Sequence, residues 1–313
     1  MIWDFNGIVI EGRIADGKLA DLWRALFASM ASGEDGAVDI VYEIEVVGAV
    51  PAAPLGEPDY GGGTGMAYYV GKDEVILQAR RYGQLRLDLK RGRTEAKMVA
   101  MVGEDYGVFE DLLAIGLAPH LRRRGRYMVH ALAATHRDKG AVLLVGAQGA
   151  GKTTTGLALL KAGWQLLAND TPLVAAAGMV YPFPGWLSAS PASWRRAGWG
   201  VVDSERMWRD RADKVSVDVA RLRADGWGEA TMLRAILWPE IKGEGGHEGE
   251  RLRPRESLAQ LLPHSLEQWD EAILPAHLLA LRRLSEGVAG YRWRLGPDVS
   301  RLADSLDEIL ADI

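Results

Sequence analysis

Apolar and polar positions along the N-terminal part of the chain alternate as they do in strands, with one helical stretch among them. Residues 2–10 predict a strand, whereas residues 18–31 repeat apolar side chains every three or four positions and predict an amphipathic helix packed on a sheet. Residues 38–46 alternate again, and short alternating segments follow at residues 66–70, 75–79, 85–89 and 97–102. Residues 1–104 therefore predict a small α+β domain with an antiparallel meander, which could recruit a substrate or make oligomer contacts.

The pattern becomes helical from residue 106, and residues 105–313 predict a larger α/β domain. Its first elements are a helix, an apolar strand at residues 128–133, an apolar run at 141–145, a helix that ends at Gly163, and a strand at 164–168. The later predicted elements are a hairpin over 173–182, an extended segment over 182–194, a strand over 231–238, helices over 256–262, 265–273 and 275–286, a strand over 291–295 and a helix over 298–309.

Residues 146–153 match the phosphate-binding pattern GxxxxGK[ST] between a predicted strand and a predicted helix. Glycines let successive backbone N–H groups converge on phosphate oxygens at the positive end of the following helix. Lys152 is placed to reach the β- and γ-phosphates, and the Thr153 hydroxyl to bind Mg²⁺. The alternative is a glycine turn that merely precedes a surface helix. The predicted nucleotide-binding residues are Gly146, Ala147, Gln148, Gly149, Ala150, Gly151, Lys152, Thr153 and Thr154.

Asp170 follows the next predicted strand, and it is the second candidate for chemistry. Ligands of open α/β sheets bind beyond the carboxyl ends of the strands, so a carboxylate there could bind Mg²⁺ or accept a proton. An aspartate in a plain turn before Pro172 is the alternative.

Composition limits the class of protein. The 313 residues are 48% hydrophobic and 25% charged with a net charge of −5, which is typical of a globular chain and gives no global attraction to nucleic acid or an anionic membrane. The absence of cysteine excludes disulfides, thiolate metal sites and a cysteine nucleophile. No apolar run of about 18 residues and no signal-peptide pattern occurs, so we expect a cytoplasmic protein.

Two charged segments have competing interpretations. The arginines at 122–124 and 126 could bind an acidic peptide or phosphate, but cations that lie at a helix C-terminus and are otherwise solvated explain them more simply. His247 lies near Glu248 and Glu250 in a glycine-rich loop, and this composition favours a flexible loop over a metal site.

Beyond the phosphate-binding pattern, three segments together resemble the C-terminal catalytic domain of HPr kinase/phosphorylase and its relatives: residues 128–131, 145–153 and 166–170. The likeness extends over about residues 106–313, including Pro182-Phe183-Pro184 and Trp238-Pro239-Glu240. It implies a phosphoenolpyruvate-carboxykinase-like P-loop core and transfer of the γ-phosphate of ATP to a serine hydroxyl. It also implies that His130 lies close to the phosphates, whereas an isolated histidine in an apolar strand is usually a core residue.

The chain departs from that family at two places. Asn169-Asp170 stands where the family commonly has two aspartates, and an amide cannot accept the hydroxyl proton, so either Asp170 is the base or phosphotransfer is weakened. Ser188-Ala189-Ser190 replaces a basic residue, whose charge Lys214 or Arg211 could supply.

We therefore expect a kinase that uses ATP, or GTP, together with Mg²⁺, and that acts on a serine of a small protein or peptide. Lys152, Asp170 and His130 are the expected catalytic residues, and Thr153 and Asp170 the expected metal ligands. The alternatives are a nucleotide-binding regulatory or scaffold protein without phosphotransfer, and a small-molecule kinase or nucleotide hydrolase. A homo-oligomer is compatible with the resemblance, although the chain has no interface signature.

Overall fold

The structure is a computed structural model that describes residues 1–32, 37–61, 65–183, 185–200, 208–209 and 214–313. It has a mixed α/β fold and two compact units. The first unit comprises Met1–Arg124 and Glu267–Glu271, and the second comprises Gly125–Leu266 and Ala272–Ile313. None of the described helices is both long and apolar enough to cross a membrane.

The first unit contains a nine-stranded mixed sheet. Its order is β3-β1-β2-β4-β9-β8-β7-β6-β5, with parallel pairing of β2 with β4 and of β4 with β9. The antiparallel run from β6 to β9 confirms the predicted meander. The strands are β1 (Ile2–Asp4), β2 (Val9–Ile14), β3 (Ala31–Ser32), β4 (Ile40–Val47), β5 (Tyr60–Gly61), β6 (Met66–Val70), β7 (Glu74–Ala79), β8 (Gly83–Asp88) and β9 (Arg93–Val99).

Two predictions for this unit need correction. The single strand over residues 2–10 is instead β1 and β2, because Asn6 and Gly7 adopt positive φ values of 53° and 87° and turn the chain. The helix over 18–31 is shorter: α1 spans Gly17–Leu26, followed by a 3₁₀ turn at Phe27–Ser29. The α1 helix begins where the Asp16 carboxylate accepts the Leu19 N–H at 2.9 Å.

Helix α2 (Tyr106–Arg122) belongs to the first unit, so the division falls after Arg124 and not at the predicted boundary between residues 104 and 105. Its helical pattern does not show which sheet it covers. In the structure, the Tyr42 hydroxyl of β4 donates to the Leu112 carbonyl at 3.0 Å, and the Thr94 hydroxyl of β9 donates to the Gly116 carbonyl at 2.9 Å. These contacts with the first sheet assign α2 to that unit.

The second unit contains another nine-stranded mixed sheet. Its path is β10-β14-β15-β19-β12-β11-β13, and β21 pairs with both β19 and β20. Strands β16, β17 and β18 form a separate three-stranded sheet in the order β16-β18-β17. The strands are β10 (Tyr127–Met128), β11 (Ala131–His136), β12 (Gly140–Val145), β13 (Gln165–Ala168), β14 (Leu173–Val174), β15 (Met179–Tyr181), β16 (Leu187–Ala189), β17 (Trp208–Arg209), β18 (Val215–Val217), β19 (Thr231–Ile241), β20 (Glu248–Leu252) and β21 (Ala289–Leu295).

Helices cover both faces of the β12 region. Val142 and Leu144 pack in the same core as residues of α3 and α8, whereas Ala141, Leu143 and Val145 pack in the same core as residues of α7. Burial on both faces explains the uninterrupted apolar sequence of β12. The helices are α3 (Lys152–Lys161), α4 (Pro191–Arg196), α5 (Val219–Leu222), α6 (Pro254–Leu261), α7 (Leu274–Gly287) and α8 (Leu302–Ala311).

Strand directions determine which residues meet at one edge of this sheet. β12 is parallel to β19, and β19 is parallel to β21. β11 is antiparallel to both β12 and β13, so β13 runs in the same direction as β12. The carboxyl ends of β12, β13, β19 and β21 therefore lie at the same edge, where ligands of α/β sheets usually bind.

Two predictions for the second half of the chain are also wrong. Residues 265–273 are not a helix, because Asp270 is buried and its carboxylate accepts from Arg122 at 3.1 Å and from Arg123 at 2.8 Å. The extended segment over 182–194, in which Pro184 lies outside the described residues, contains α4. Helix α4 begins where the Ser190 hydroxyl accepts the Ser193 N–H at 3.1 Å.

The arginines at 122–124 and 126 contact other residues of the protein. Arg122 ends α2, as expected for cations at a helix C-terminus, but it is buried, so the prediction that these arginines are otherwise solvated is wrong for it. Arg122 and Arg123 bind the buried Asp270, while Arg124 donates to the Asp39 carbonyl at 2.6 Å. Arg126 lies over the ring of Tyr181, 4.0 Å from its centroid.

Candidate functional site

The glycine loop, residues 146–151, joins the end of β12 to the start of α3. Gly149 and Gly151 have φ values of 87° and 99°, which favour glycine strongly. A Cβ atom at Gly151 would also make a tight contact, 3.0 Å from Cδ1 of Leu295. The loop thus adopts its tight path at the N-terminus of α3, where backbone N–H groups and the helix dipole favour an anion.

Lys152 is the first residue of α3, and it is only 7% exposed. Its ammonium donates to the carbonyl of Gly146 and, at 3.3 Å, to that of Ala147. Burial lowers the pKa of Lys152, and the nearby Lys214 lowers it further, whereas Asp170 raises it. A buried cation held under the loop is well placed to bind an anion.

His130 lies between β10 and β11, and its backbone N–H donates to the His264 carbonyl at 2.6 Å. Burial lowers the pKa of His130, Asp170 raises it, and Lys152 and Lys214 lower it, so the imidazole is neutral near pH 7. Its Nε2 lies 3.4 Å from the Lys152 ammonium and its Nδ1 4.0 Å from Oδ1 of Asp170. This arrangement favours the tautomer with hydrogen on Nδ1, since Nε2 faces a donor.

Asp170 follows β13, and 47% of its side chain is exposed. Its backbone carbonyl accepts the Ala131 N–H at 3.0 Å, which fixes the residue beside the start of β11. The preceding Asn169 is buried, and its Oδ1 has no hydrogen-bond partner within the described part of the chain. Asp170 lines the cavity described next, whereas Asn169 is not among the lining residues that the structure describes.

A cavity of about 420 Å³ brings most of the predicted site residues together. Gly146 and Ala150 belong to the loop but are not among the lining residues. The remaining predicted residues all line the cavity: His130, Ala147, Gln148, Gly149, Gly151, Lys152, Thr153, Thr154 and Asp170.

We refer to this cavity as the phosphate-side cavity. It is also lined by polar residues that the sequence motif does not indicate. Helix α4 contributes Ser193 and Arg196, and strand β16 contributes Ser188. Ser190 lies between these two elements, and Lys214 precedes β18. Lys214 thus occupies the cavity in which the sequence suggested it could supply a positive charge; Arg211, the other suggested residue, lies outside the described residues. Among the described lining residues, Asp170 is the one carboxylate beside Lys152, Arg196 and Lys214, so the cavity favours an anion.

His247 has structural hydrogen bonds on both sides of its ring. Its Nδ1 accepts the Gly296 N–H at 3.0 Å, and its Nε2 donates to the Asp298 carbonyl at 2.7 Å. Across the described residues, no group of three or more His, Asp or Glu side chains could hold a metal ion.

His264 is the neighbour of the site that sequence reasoning missed. Its ring stacks on His130 with centroids 6.1 Å apart, and burial, His130 and Lys152 lower its pKa. No sequence signal connects these residues, because they are brought together only by the turn that follows α6. Comparison of the chain with protein-family models finds no matching family, and comparison with curated proteins finds no match.

Proposed function

We propose that this chain is an ATP- and Mg²⁺-dependent kinase that transfers the γ-phosphate to a serine hydroxyl of a protein or peptide. The observation that carries the proposal is one cavity lined by the Lys152 ammonium, the glycine loop and the half-exposed carboxylate of Asp170. The first two suit the phosphates, and the third suits the acceptor hydroxyl. The corresponding fold is a phosphoenolpyruvate-carboxykinase-like P-loop core.

Electrostatics support binding of a triphosphate. Burial is the main cause of the lowered pKa of Lys152, and repulsion from the positive charge of Lys214 lowers that pKa further. Bringing in phosphate oxygens relieves that repulsion and replaces the loop carbonyls as partners of the ammonium. The cavity would therefore bind a polyanion more strongly than a neutral ligand of the same size.

The donor set also fits Mg²⁺. Thr153 and Asp170 both line the cavity and offer oxygen atoms, and Mg²⁺ commonly takes one or two protein oxygens and completes its shell with water and phosphate. A site of this kind needs no cluster of three protein ligands. When bound, Mg²⁺ offsets the charge that develops on the phosphates during transfer.

Asp170 is the residue we assign as base. The serine oxygen forms a bond to the γ-phosphorus, the bond from that phosphorus to the bridging oxygen breaks, ADP leaves, and Asp170 takes the hydroxyl proton. His130 Nδ1 faces this carboxylate at 4.0 Å. Because Asn169 is buried and Asp170 lines the cavity, the amide at position 169 does not replace the base, which favours transfer over nucleotide binding alone.

The decisive experiment compares wild type with Asp170→Asn on arrays of serine peptides and radiolabelled ATP, with ATP binding measured in parallel. We expect binding to persist and transfer to fall by about 10²–10⁴-fold, the usual contribution of a general base. Asp138→Asn is the matched control, because Asp138 is exposed and lies just before the start of β12, at the end opposite the glycine loop. Equal transfer by wild type and Asp170→Asn would refute the mechanism, whereas ATP binding without any transfer by wild type would establish the binding-only function.

A further inference from the structure

A second cavity, of about 270 Å³, adjoins the phosphate-side cavity. The two cavities share Gly151, Thr154, Arg196 and Ile241 as lining residues. Their common wall is thus the first turn of α3 together with the end of β19. A ligand whose phosphates lie under the glycine loop can extend into the second cavity without leaving the protein surface.

The lining of this second cavity is mainly apolar. Ile241, Leu295, Pro297, Val299 and Leu302 all contribute to it. Ile241 is a large apolar residue that remains 60% exposed, which makes it available for contact with a ligand. None of the described lining residues is a carboxylate, and Lys242 and Arg196 supply positive charge. Such a lining suits a flat, largely apolar group attached to an anion.

Sheet order places Asp170 and the apolar cavity on different sides of the glycine loop. The loop follows β12, which lies between β11 and β19. Asp170 follows β13 on the β11 side, whereas the apolar cavity is lined by residues at the carboxyl ends of β19 and β21. Gly151 of the loop lies directly against this apolar cavity, because a Cβ atom there would be 3.0 Å from Leu295 and 3.6 Å from Ile241.

We propose that the apolar cavity binds the nucleoside part of the nucleotide. The base buries its faces against Ile241 and Val299 while the phosphates extend past Gly151 to Lys152. The acceptor serine then approaches from the Asp170 side. This inference rests on the proposed function, in which the triphosphate binds at the glycine loop. It adds the binding site of the nucleoside, which determines which nucleotide is bound.

The test uses two probes, ATP and inorganic tripolyphosphate, each measured with Mg²⁺ by calorimetry on the full chain. Val299 is half-buried and lines only the apolar cavity of the two, so Val299→Trp fills that space from a position outside the phosphate-side lining. We expect the variant to bind ATP at least about tenfold more weakly, equivalent to about 1.4 kcal/mol, and tripolyphosphate within about twofold of wild type. Leu278→Trp, at an exposed apolar position on α7, is the matched control.

Each outcome decides one of the two proposals. If Val299→Trp leaves the affinities for both probes unchanged, or weakens both equally while its thermal midpoint is that of wild type, the nucleoside lies elsewhere. If the variant does not fold, Pro297→Trp, at an exposed position of the same cavity, repeats the test. Binding of tripolyphosphate but not ATP by wild type would overturn the inference alone, whereas binding of neither probe would overturn the proposed function.

Discussion

Replacement of Lys152 by methionine tests the phosphate site most directly. Methionine nearly preserves the length of the side chain but removes the ammonium, which is 7% exposed and donates to the carbonyls of Gly146 and Ala147. Without ligand, we expect a small change in stability. The hydrogen bonds lost are offset by relief of burying a charge, the main cause of the lowered pKa of Lys152.

The effect on ligand stabilisation is much larger. ATP at 100 times its dissociation constant stabilises the wild-type protein by about 2.7 kcal/mol. Removing one partner of a buried charge pair costs about 2–5 kcal/mol, and even 2 kcal/mol weakens binding roughly 30-fold. The same ATP concentration is then only about three to four dissociation constants for the variant, and it stabilises by less than about 1 kcal/mol.

A thermal-unfolding assay with Mg²⁺ and ATP measures this difference. For a unit of roughly 180 residues, 1 kcal/mol shifts the midpoint by about 2–4 °C, so the wild-type shift should be about 5–11 °C and the variant shift below about 4 °C. Lys161→Met is the control, since Lys161 lies on the same helix and its ammonium donates to the Gly198 carbonyl at 2.7 Å. A wild-type-sized shift in Lys152→Met would show that the nucleotide binds elsewhere.

Three further measurements test separate parts of the structure. Asp170→Asn removes the negative charge that raises the pKa of His130, so an NMR titration should show that pKa falling; an unchanged value would mean that the two side chains do not face each other. Burial lowers the pKa of His120 to about 4, below its ordinary value of 6.5, so the unfolded chain binds the proton more tightly and stability should fall as pH drops from about 6.5 to about 4. The pKa values of His130 and His264 are also lowered, so this dependence should be weaker in His120→Gln, but not absent, when urea unfolding is followed at each pH; an unchanged dependence would contradict the argument. Asp270→Asn leaves two arginines without their buried partner and should lower the free energy of unfolding in urea by about 3–5 kcal/mol. Asp88→Asn, which breaks an exposed pair, should lower it by less than about 0.5 kcal/mol, and equal losses would contradict the burial argument.

Local sequence was sufficient where a segment's pattern and its environment agree. β12 is apolar at every position after its first residue, and α3 starts at the lysine of the phosphate-binding pattern. Alternation in β4 correctly separates the buried Ile40, Tyr42 and Ile44 from the glutamates. In each case the information needed lies within a few residues, because strand and helix periods set which side chains share a face.

Sequence pattern failed where distant residues decide the conformation. The apolar spacing over 265–273 predicts a helix, but the buried pairing of Asp270 with two arginines of α2 holds a non-helical path. His264 and Arg196 join the site for the same kind of reason, since neither lies near the glycine loop in sequence. Asn169 and Asp170 also become distinct only in three dimensions, because Asp170 lines the cavity and Asn169 is not among the described lining residues.

The direction of the strands explains why polar residues lie on one side of the glycine loop and apolar residues on the other. Since β12 lies between β11 and β19, the glycine loop at its carboxyl end has the polar groups of His130 and Asp170 on one side. On its other side are Ile241 and Leu295, which end β19 and β21. In the proposed complex, the phosphates need the positive charge beside the glycine loop, and the heterocyclic base of the nucleotide needs apolar area. The acceptor hydroxyl needs a group that takes its proton. Substitutions beside Leu295 should therefore alter the choice of nucleotide without altering the choice of acceptor, and substitutions beside Asp170 should do the reverse.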